Sequence, residues 1–402
     1  MIEEEELKKR KWPAPKIPFR FEKLTEEQRI LREAYSRIGA DYTRDVYVRE
    51  GKVILRPLGW KGIVKPIPPE ECAITSLARD PRGRIFGATS GRRSHLFVYD
   101  PDLDYVEEMG VLGQNVCVKH SLVVCSDELL IAGTKSCKPG EALQGQIISC
   151  RIDPYSLLEA SPVATPVEGE GIAALTIDDS KKTIYGLSTE SGTFFTYEVD
   201  SGKVQLHGKV DEIGDFSDVL LSGPDGCVYG GKRLGWLYRY NPAEQRIIPL
   251  DVQIPSFRGR AMYNKVDSLA LDEITGIIYG GSADGVVFSF DPESRQIICL
   301  GKPTTARRVR ALTVGNDGVV YGVSGDVSGL AHLFRYDPET RDLRDLGVPR
   351  AASEQWWHGY EFDAAITGLH GEIYLGEADR ISHLFIYFPP IRKCSAYECN
   401  EH

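Results

Sequence analysis

The sequence predicts an all-β fold, a seven-bladed β-propeller of four-stranded antiparallel blades. Three observations predict it. A phrase returns along the chain: Ile85-Phe86-Gly87 followed by His95-Leu96-Phe97-Val98-Tyr99-Asp100-Pro101, Val228-Tyr229-Gly230-Gly231 by Trp236-Leu237-Tyr238-Arg239-Tyr240-Asn241-Pro242, Ile278-Tyr279-Gly280-Gly281 by Val287-Phe288-Ser289-Phe290-Asp291-Pro292, Val320-Tyr321-Gly322 by His332-Leu333-Phe334-Arg335-Tyr336-Asp337-Pro338, and Ile373-Tyr374-Leu375-Gly376 by His383-Leu384-Phe385-Ile386-Tyr387. Short alternating segments repeating every 40–50 residues or so are the pattern of radial blades. The 402 residues include 40 Gly and 23 Pro, which suits many tight turns better than long helices. Finally, the last repeat stops after its third strand, and a ring must hide its last edge.

Taken in order, residues 1–23 are charged and proline-rich and read as an extended arm. Thr25-Glu26-Glu27-Gln28 fits a capping box, and Ile30, Leu31, Ala34, Tyr35 and Ile38 recur at helical spacing. An amphipathic helix is therefore predicted over 25–38, packing on the outside or bottom of the ring. Residues 46–56 read as a hairpin or two short strands, one of which should complete the seventh blade. The blades follow at 74–112, 121–163, 172–209, 217–252, 266–301, 309–347 and 364–390. The predicted organisation is thus an arm and helix at 1–45, the propeller at 46–390 and a tail at 391–402. Cys394, Cys399 and His402 in the tail are metal-capable types, but their spacing matches no standard zinc site, so tail packing is the simpler reading.

Composition narrows the function classes. The net charge of −10 argues against non-specific nucleic-acid binding, which needs a basic footprint. No run of 18 apolar residues is present to span a bilayer, and Met1–Lys11 lacks the apolar core of a signal peptide. A cytoplasmic, membrane-free protein is expected. The nine cysteines are odd in number and form no CxxC pair, which fits a reducing compartment. Cys125, Cys227 and Cys299 fall in strand-like segments, where cysteine is usually a small buried hydrophobe.

A four-stranded meander places the B–C and D–A connections on one face of the ring and the A–B and C–D turns on the other. The A–B and C–D turns are short, such as Asp225-Gly226 and Asp337-Pro338-Glu339-Thr340, and read as structural. The opposite face gathers Arg93, His95, Lys119, His120, Arg233, Trp236, the stretch Phe257 to Lys265 with Arg258, Arg260 and Tyr263, then Arg307, Arg308, Arg310, Trp356, Trp357, His358 and Arg380. Functional groups on loops over a rigid scaffold mark a binding surface. Arginine forks match carboxylate or sulfate, and aromatic faces suit sugar rings. A histidine and a tyrosine near a carboxylate-binding arginine have the minimum equipment for β-elimination of a uronate. On that reading His120, His358, Tyr263 and His95 are the acid–base candidates. Arg93, Arg233, Trp236, Arg258, Arg260, Arg308, Arg310, Trp357 and Arg380 are the substrate-binding ones. The plainer readings stand beside these. His95, His332 and His383 share one repeat position, as structural hydrogen-bonders would. Trp356-Trp357 could plug the channel, and Arg307, Arg308 and Arg310 could pair with the abundant acids. Glu377 and Asp379 could hold a cation.

The phrases Ile278–Ser282, His332–Pro338 and Arg380–Tyr387 resemble those of seven-bladed propellers that include ulvan-type polysaccharide lyases and related rhamnosyl-glucuronate-cleaving enzymes. The resemblance covers 74–390. It implies a histidine–tyrosine base and acid, an arginine that neutralises the uronate and, commonly, a structural zinc. His95 and His120 occupy compatible places. No tyrosine or arginine maps onto a unique motif, and the absence of a signal peptide departs from secreted lyases. The leading expectation is a propeller that binds or cleaves uronate-containing oligosaccharides on its loop-rich face. The alternative is a non-catalytic platform for a protein partner. A third reading, a metal-dependent lactonase-like hydrolase, requires acids converging on the channel, and Asp218, Asp267 and Asp363 lie near the starts of A strands. No cofactor and no oligomeric state can be read from the sequence.

Overall fold

The computed structural model describes residues 47–58, 66–138, 144–326, 330–352, 356–379 and 381–390. The predicted arm, helix 25–38, Arg380 and the Cys394, Cys399 and His402 tail lie outside the described residues. What is described is a seven-bladed propeller. The blades occupy residues 73–114, 122–164, 172–209, 216–253, 266–301, 309–347 and 362–388. Each is an antiparallel meander of strands A to D. The seven A strands pack successively around a closed circle, the first against the last, and so surround the channel.

The seventh blade has three strands of its own: A at Phe362–Thr367, B at Ile373–Glu377 and C at His383–Phe388. Its fourth is Lys52–Pro57, which pairs antiparallel with strand C from Lys52↔Phe388 to Pro57↔His383. The edge left open in sequence is thus covered by a segment more than 300 residues away. Tyr47, just before this strand, bridges Val348 in parallel. Leu55 is buried with Ile373, Leu375, Phe385 and Tyr387 of blade 7 and with Leu333 and Leu346 of blade 6.

The repeated phrase has a packing reason at each letter. The strand-B glycine sits opposite the strand-C aromatic of its own blade: Gly87 faces Phe97, Gly186 Phe195, Gly230 Tyr238, Gly280 Phe288 and Gly322 Phe334. The ring lies over the glycine so closely that a Cβ on Gly280 would stand 2.1 Å from Cζ of Phe288. The strand-B tyrosine meets the last aromatic of strand C in the adjacent blade. Tyr279–Tyr336 ring centroids are 6.2 Å apart, Tyr321–Tyr387 5.7 Å and Tyr99–Tyr374 5.6 Å. Blades are therefore stapled to each other by aromatic edges. The Asp or Asn that precedes proline caps the C–D turn, as where Asp291 accepts the Glu293 amide at 2.9 Å and Asp337 that of Glu339 at 3.0 Å.

The seven described cysteines are free. Cys227 is buried and Cys125 half-buried, whereas Cys299 is exposed. The outermost strand D has one face toward solvent, which a strand-like segment alone does not reveal.

Two substitutions test this packing. Gly280→Ala should cost about 1–3 kcal/mol by forcing the Phe288 ring off the strand. Leu55→Ala should cost about 2–5 kcal/mol by leaving a cavity under the closing strand. An unchanged urea midpoint for either variant would show that the contact contributes nothing.

Candidate functional site

The pairing of strand A with strand B slips at the same place in six blades. The irregularities fall between Ile74 and Ser76, Ile172 and Ala174, Phe216 and Leu220, Val266 and Ser268, Val309 and Ala311, and Phe362 and Ala364. Residues left out of the ladder there include Asp218, Asp267, Arg310 and Asp363. A bulge re-aims side chains, here at the mouth of the channel on the loop-rich face. In blade 2, His120 occupies the corresponding approach to strand A, with φ +52°. A short ladder on the rim, Val116–Cys117 against Lys135–Ser136, brings Lys135 to the same mouth.

These groups form one network across the channel. Lys119 Nζ donates to Asp363 at 2.8 Å, and Lys135 Nζ to Asp218 at 2.9 Å. Arg308 holds Asp267 with two bonds of 2.6 and 2.8 Å. Arg310 pairs with Glu361 and, at 3.3 Å, with Asp363. Burial alone would raise the Asp363 carboxyl, but Lys119 and Arg310 overcome it and bring the pKa down to about 2. Asp218 likewise falls below the usual carboxylate range: burial opposes ionisation, and Lys135 outweighs it. Four cations thus meet four carboxylates. Each aspartate in which a metal-binding reading would look for a ligand already faces a lysine or arginine. Among the described residues, no three His, Cys, Asp or Glu side chains converge as a metal site.

His120 ties the mouth together. Its amide donates to Thr75 O at 3.2 Å, and its carbonyl accepts from Leu175 N at 2.9 Å. Its Nδ1 lies 2.8 Å from Asp218 O and its Nε2 3.1 Å from Asp363 O. Blade 2 is thereby joined to blades 1, 3, 4 and 7 through one residue. Burial, reinforced by Lys119, lowers its pKa below the ordinary histidine value. A neutral ring donates through one nitrogen only, so it can serve one of the two carbonyls.

The other predicted residues fall into separate groups. His95 is buried, with Nε2 3.1 Å from Glu71 and Nδ1 3.0 Å from Glu108. Arg93 also donates to Glu71, at 2.8 Å. Burial would raise the Glu71 carboxyl, but His95 and Arg93 hold it below its ordinary value. The repeat position shared by the three histidines has a common role: His332 pairs with Asp345 at 3.0 Å across the same two strands as His95 and Glu108. His383 faces Pro57 of the borrowed strand instead, and turns to the buried Glu377 at 2.8 Å. Glu377 also accepts the Trp357 indole at 3.0 Å, so this tryptophan is fixed to blade 7 rather than plugging the channel. Burial raises the Glu377 carboxyl even so. His358 stacks on Tyr47 at 5.3 Å and meets its hydroxyl at 2.9 Å. Burial, then Arg350, lowers its pKa.

Arg233, Trp236, Arg258, Arg260 and Tyr263 gather over blades 4 and 5. Arg260 is bound to Asp284 at 2.8 Å and Trp236 is half-buried, whereas Arg233, Arg258 and Tyr263 are exposed. Sequence reasoning missed Glu71, Glu108, Asp284, Asp345 and Glu361, acids that occupy these histidines and arginines. One signal was available: both His95–Glu108 and His332–Asp345 are 13 residues apart.

No protein-family model matches the chain, and no curated protein matches it. Among solved structures it is similar to the extracellular domain of BT4673 from B. thetaiotaomicron, at 16% identity and TM-score 0.56, over 82% of this chain and 39% of that one. It is also similar to the WD40 β-propeller domain of Doa1, at 12% identity and TM-score 0.56, over 84% of this chain and 96% of that one. At these identities the likeness shows the fold alone. The chain spans about two fifths of the BT4673 chain it matches.

The channel network makes a testable claim. A depressed aspartate pKa stabilises the fold above the unfolded value near 4 and loses that contribution as pH falls through the folded value near 2. Asp363→Asn should therefore lower stability by about 2 kcal/mol at pH 7. The gap between variant and wild type should close as pH approaches 2. Denaturant unfolding at several pH values reads this directly, and a gap independent of pH would refute it.

Proposed function

We propose that the protein is a non-catalytic binding platform that works through its loop-rich face. The observation that carries this reading is the engagement of the histidines. Both ring nitrogens of His120 are enclosed against main-chain carbonyls, both of His95 against carboxylates, and Nε2 of His358 meets the Tyr47 hydroxyl. A general base needs a nitrogen free to meet a substrate proton. Arg93, Arg260, Arg308 and Arg310 are likewise held by acids of the protein and would have to break those pairs to bind a uronate. A cavity of about 310 Å³, lined by Arg82, Arg84, Asp127 and Arg151, lies on the opposite face, among the plain turns. The sequence phrases that resemble those of uronate lyases are, on this reading, the packing phrases of the blade and not marks of chemistry. They are the glycine under a phenylalanine and the tyrosine between blades.

The test is absorbance near 235 nm during incubation with a panel of uronate-containing oligosaccharides. No rise is expected. A rise that His120→Ala abolishes, in a variant shown to be folded, would overturn the platform reading in favour of β-elimination.

A further inference from the structure

Among the described residues, one part of the loop-rich face leaves arginines uncommitted. Residues 255–264 join strand D of blade 4, Arg246–Gln253, to strand A of blade 5, Val266–Leu271. On this connection Phe257 is 47% exposed, Met262 64% and Tyr263 65%. Arg258 beside them is exposed, as are Arg233 on the B–C turn of blade 4 and Arg307 on the connection into blade 6. Among the described residues, none of these three arginines has an acidic partner. In a chain of net charge −10, three free guanidiniums around three exposed apolar side chains are a local exception.

The elements form one surface. The turns Arg233–Gly235 and Ala261–Tyr263 touch. Gln253 Nε2 donates to Leu234 O at 2.7 Å, and Ile254 N to Gly235 O at 2.9 Å. The Lys302 ammonium lies 5.5 Å from the Phe257 ring centroid and donates to Asp284 O at 2.9 Å. Arg260 holds the same Asp284 from the other side. The buried Asn264 donates to Pro255 O at 2.8 Å and closes the connection on itself. Phe257 and Tyr263 are thus presented on a braced loop, so little ordering entropy remains to be lost on binding. Aromatic and methionine anchors with arginines at their margin are the composition that recurs at the centres of protein interfaces.

We propose that Arg233, Phe257, Arg258, Met262, Tyr263 and Arg307 form the docking surface for an extended acidic peptide segment carrying an apolar anchor residue. This rests on the platform reading and adds a place and a chemistry to it. Charge complementarity fixes the sign of the partner: a basic segment would be repelled by the arginines and gain nothing from them. Met262 offers a sugar neither a flat ring nor a polar group, and together with Phe257 it matches an apolar side chain.

A displayed library of random peptides, selected on the intact protein, tests the proposal, with the enriched sequences remade as labelled synthetic peptides for anisotropy. The enriched peptides should be rich in Asp and Glu around an aromatic or aliphatic residue. Arg233→Glu with Arg258→Glu should weaken them by about tenfold or more, as should Tyr263→Ala, while Lys203→Glu on the opposite face leaves them unchanged. All these side chains are exposed, and circular dichroism checks that each variant is folded. Absence of enrichment, enrichment of basic peptides, binding untouched by the patch substitutions, or displacement by a uronate oligosaccharide would each overturn the proposal. The platform reading falls separately, on the absorbance assay.

Discussion

Everything in this molecule depends on closing a circle. Seven twisted sheets side by side leave one unpaired edge, and an unpaired edge is an invitation to another chain. Here Lys52–Pro57 takes that edge of blade 7. Closure does more than hide backbone groups. It brings blade 7 against blade 1, which sets Asp363 within reach of Lys119 and its carbonyl beside His120. The channel network has members in blades that are remote in sequence, so it can exist only once the ring is shut. Local contacts inside each blade form the units, and the pairing that closes the ring spans more than 300 residues.

The blades were legible because their packing rules are local. A glycine under a phenylalanine and an acid before a proline each lie within one repeat, and the interblade tyrosine follows from repetition. The closing strand was legible from a count, since the seventh repeat lacked a fourth strand. The candidate site was only half legible. The face was readable, because topology assigns each loop to one end. The state of each side chain was not, because its partner sits elsewhere: Glu71 lies 24 residues from His95, and Asp363 lies 243 from His120. A list of histidines and arginines on one face looks the same whether they are free or paired. Cys299 shows the same limit on a small scale: the strand was right, and the face of the strand was not.

Pairing at the channel mouth is costly as well as stabilising. Taking charges out of water is repaid only if every charge finds a partner, and removing one partner leaves another stranded. Asp363 is balanced in this sense by a lysine and an arginine from opposite sides, whereas at Asp267 burial outweighs even a two-pronged arginine and raises the carboxyl. A ligand entering there would have to replace these bonds with equally good ones. On the platform reading, this neutralised mouth serves to hold seven sets of loops in fixed relation.

Rigidity at the centre gives meaning to what is left free at the rim. Most cations of the loop-rich face are neutralised by acids of the same chain: Lys119, Lys135, Arg93, Arg260, Arg308 and Arg310. Folding alone therefore accounts for them. It does not account for Arg233, Arg258 and Arg307, nor for the water-exposed area of Phe257, Met262 and Tyr263, since an exposed aromatic gains nothing for the fold. Scattered over the surface, such residues would be ordinary. Collected on touching loops and braced by Asn264 and Asp284, they form, among the described residues, a patch whose chemistry folding leaves unspent, and a partner of opposite charge is what the proposal would add.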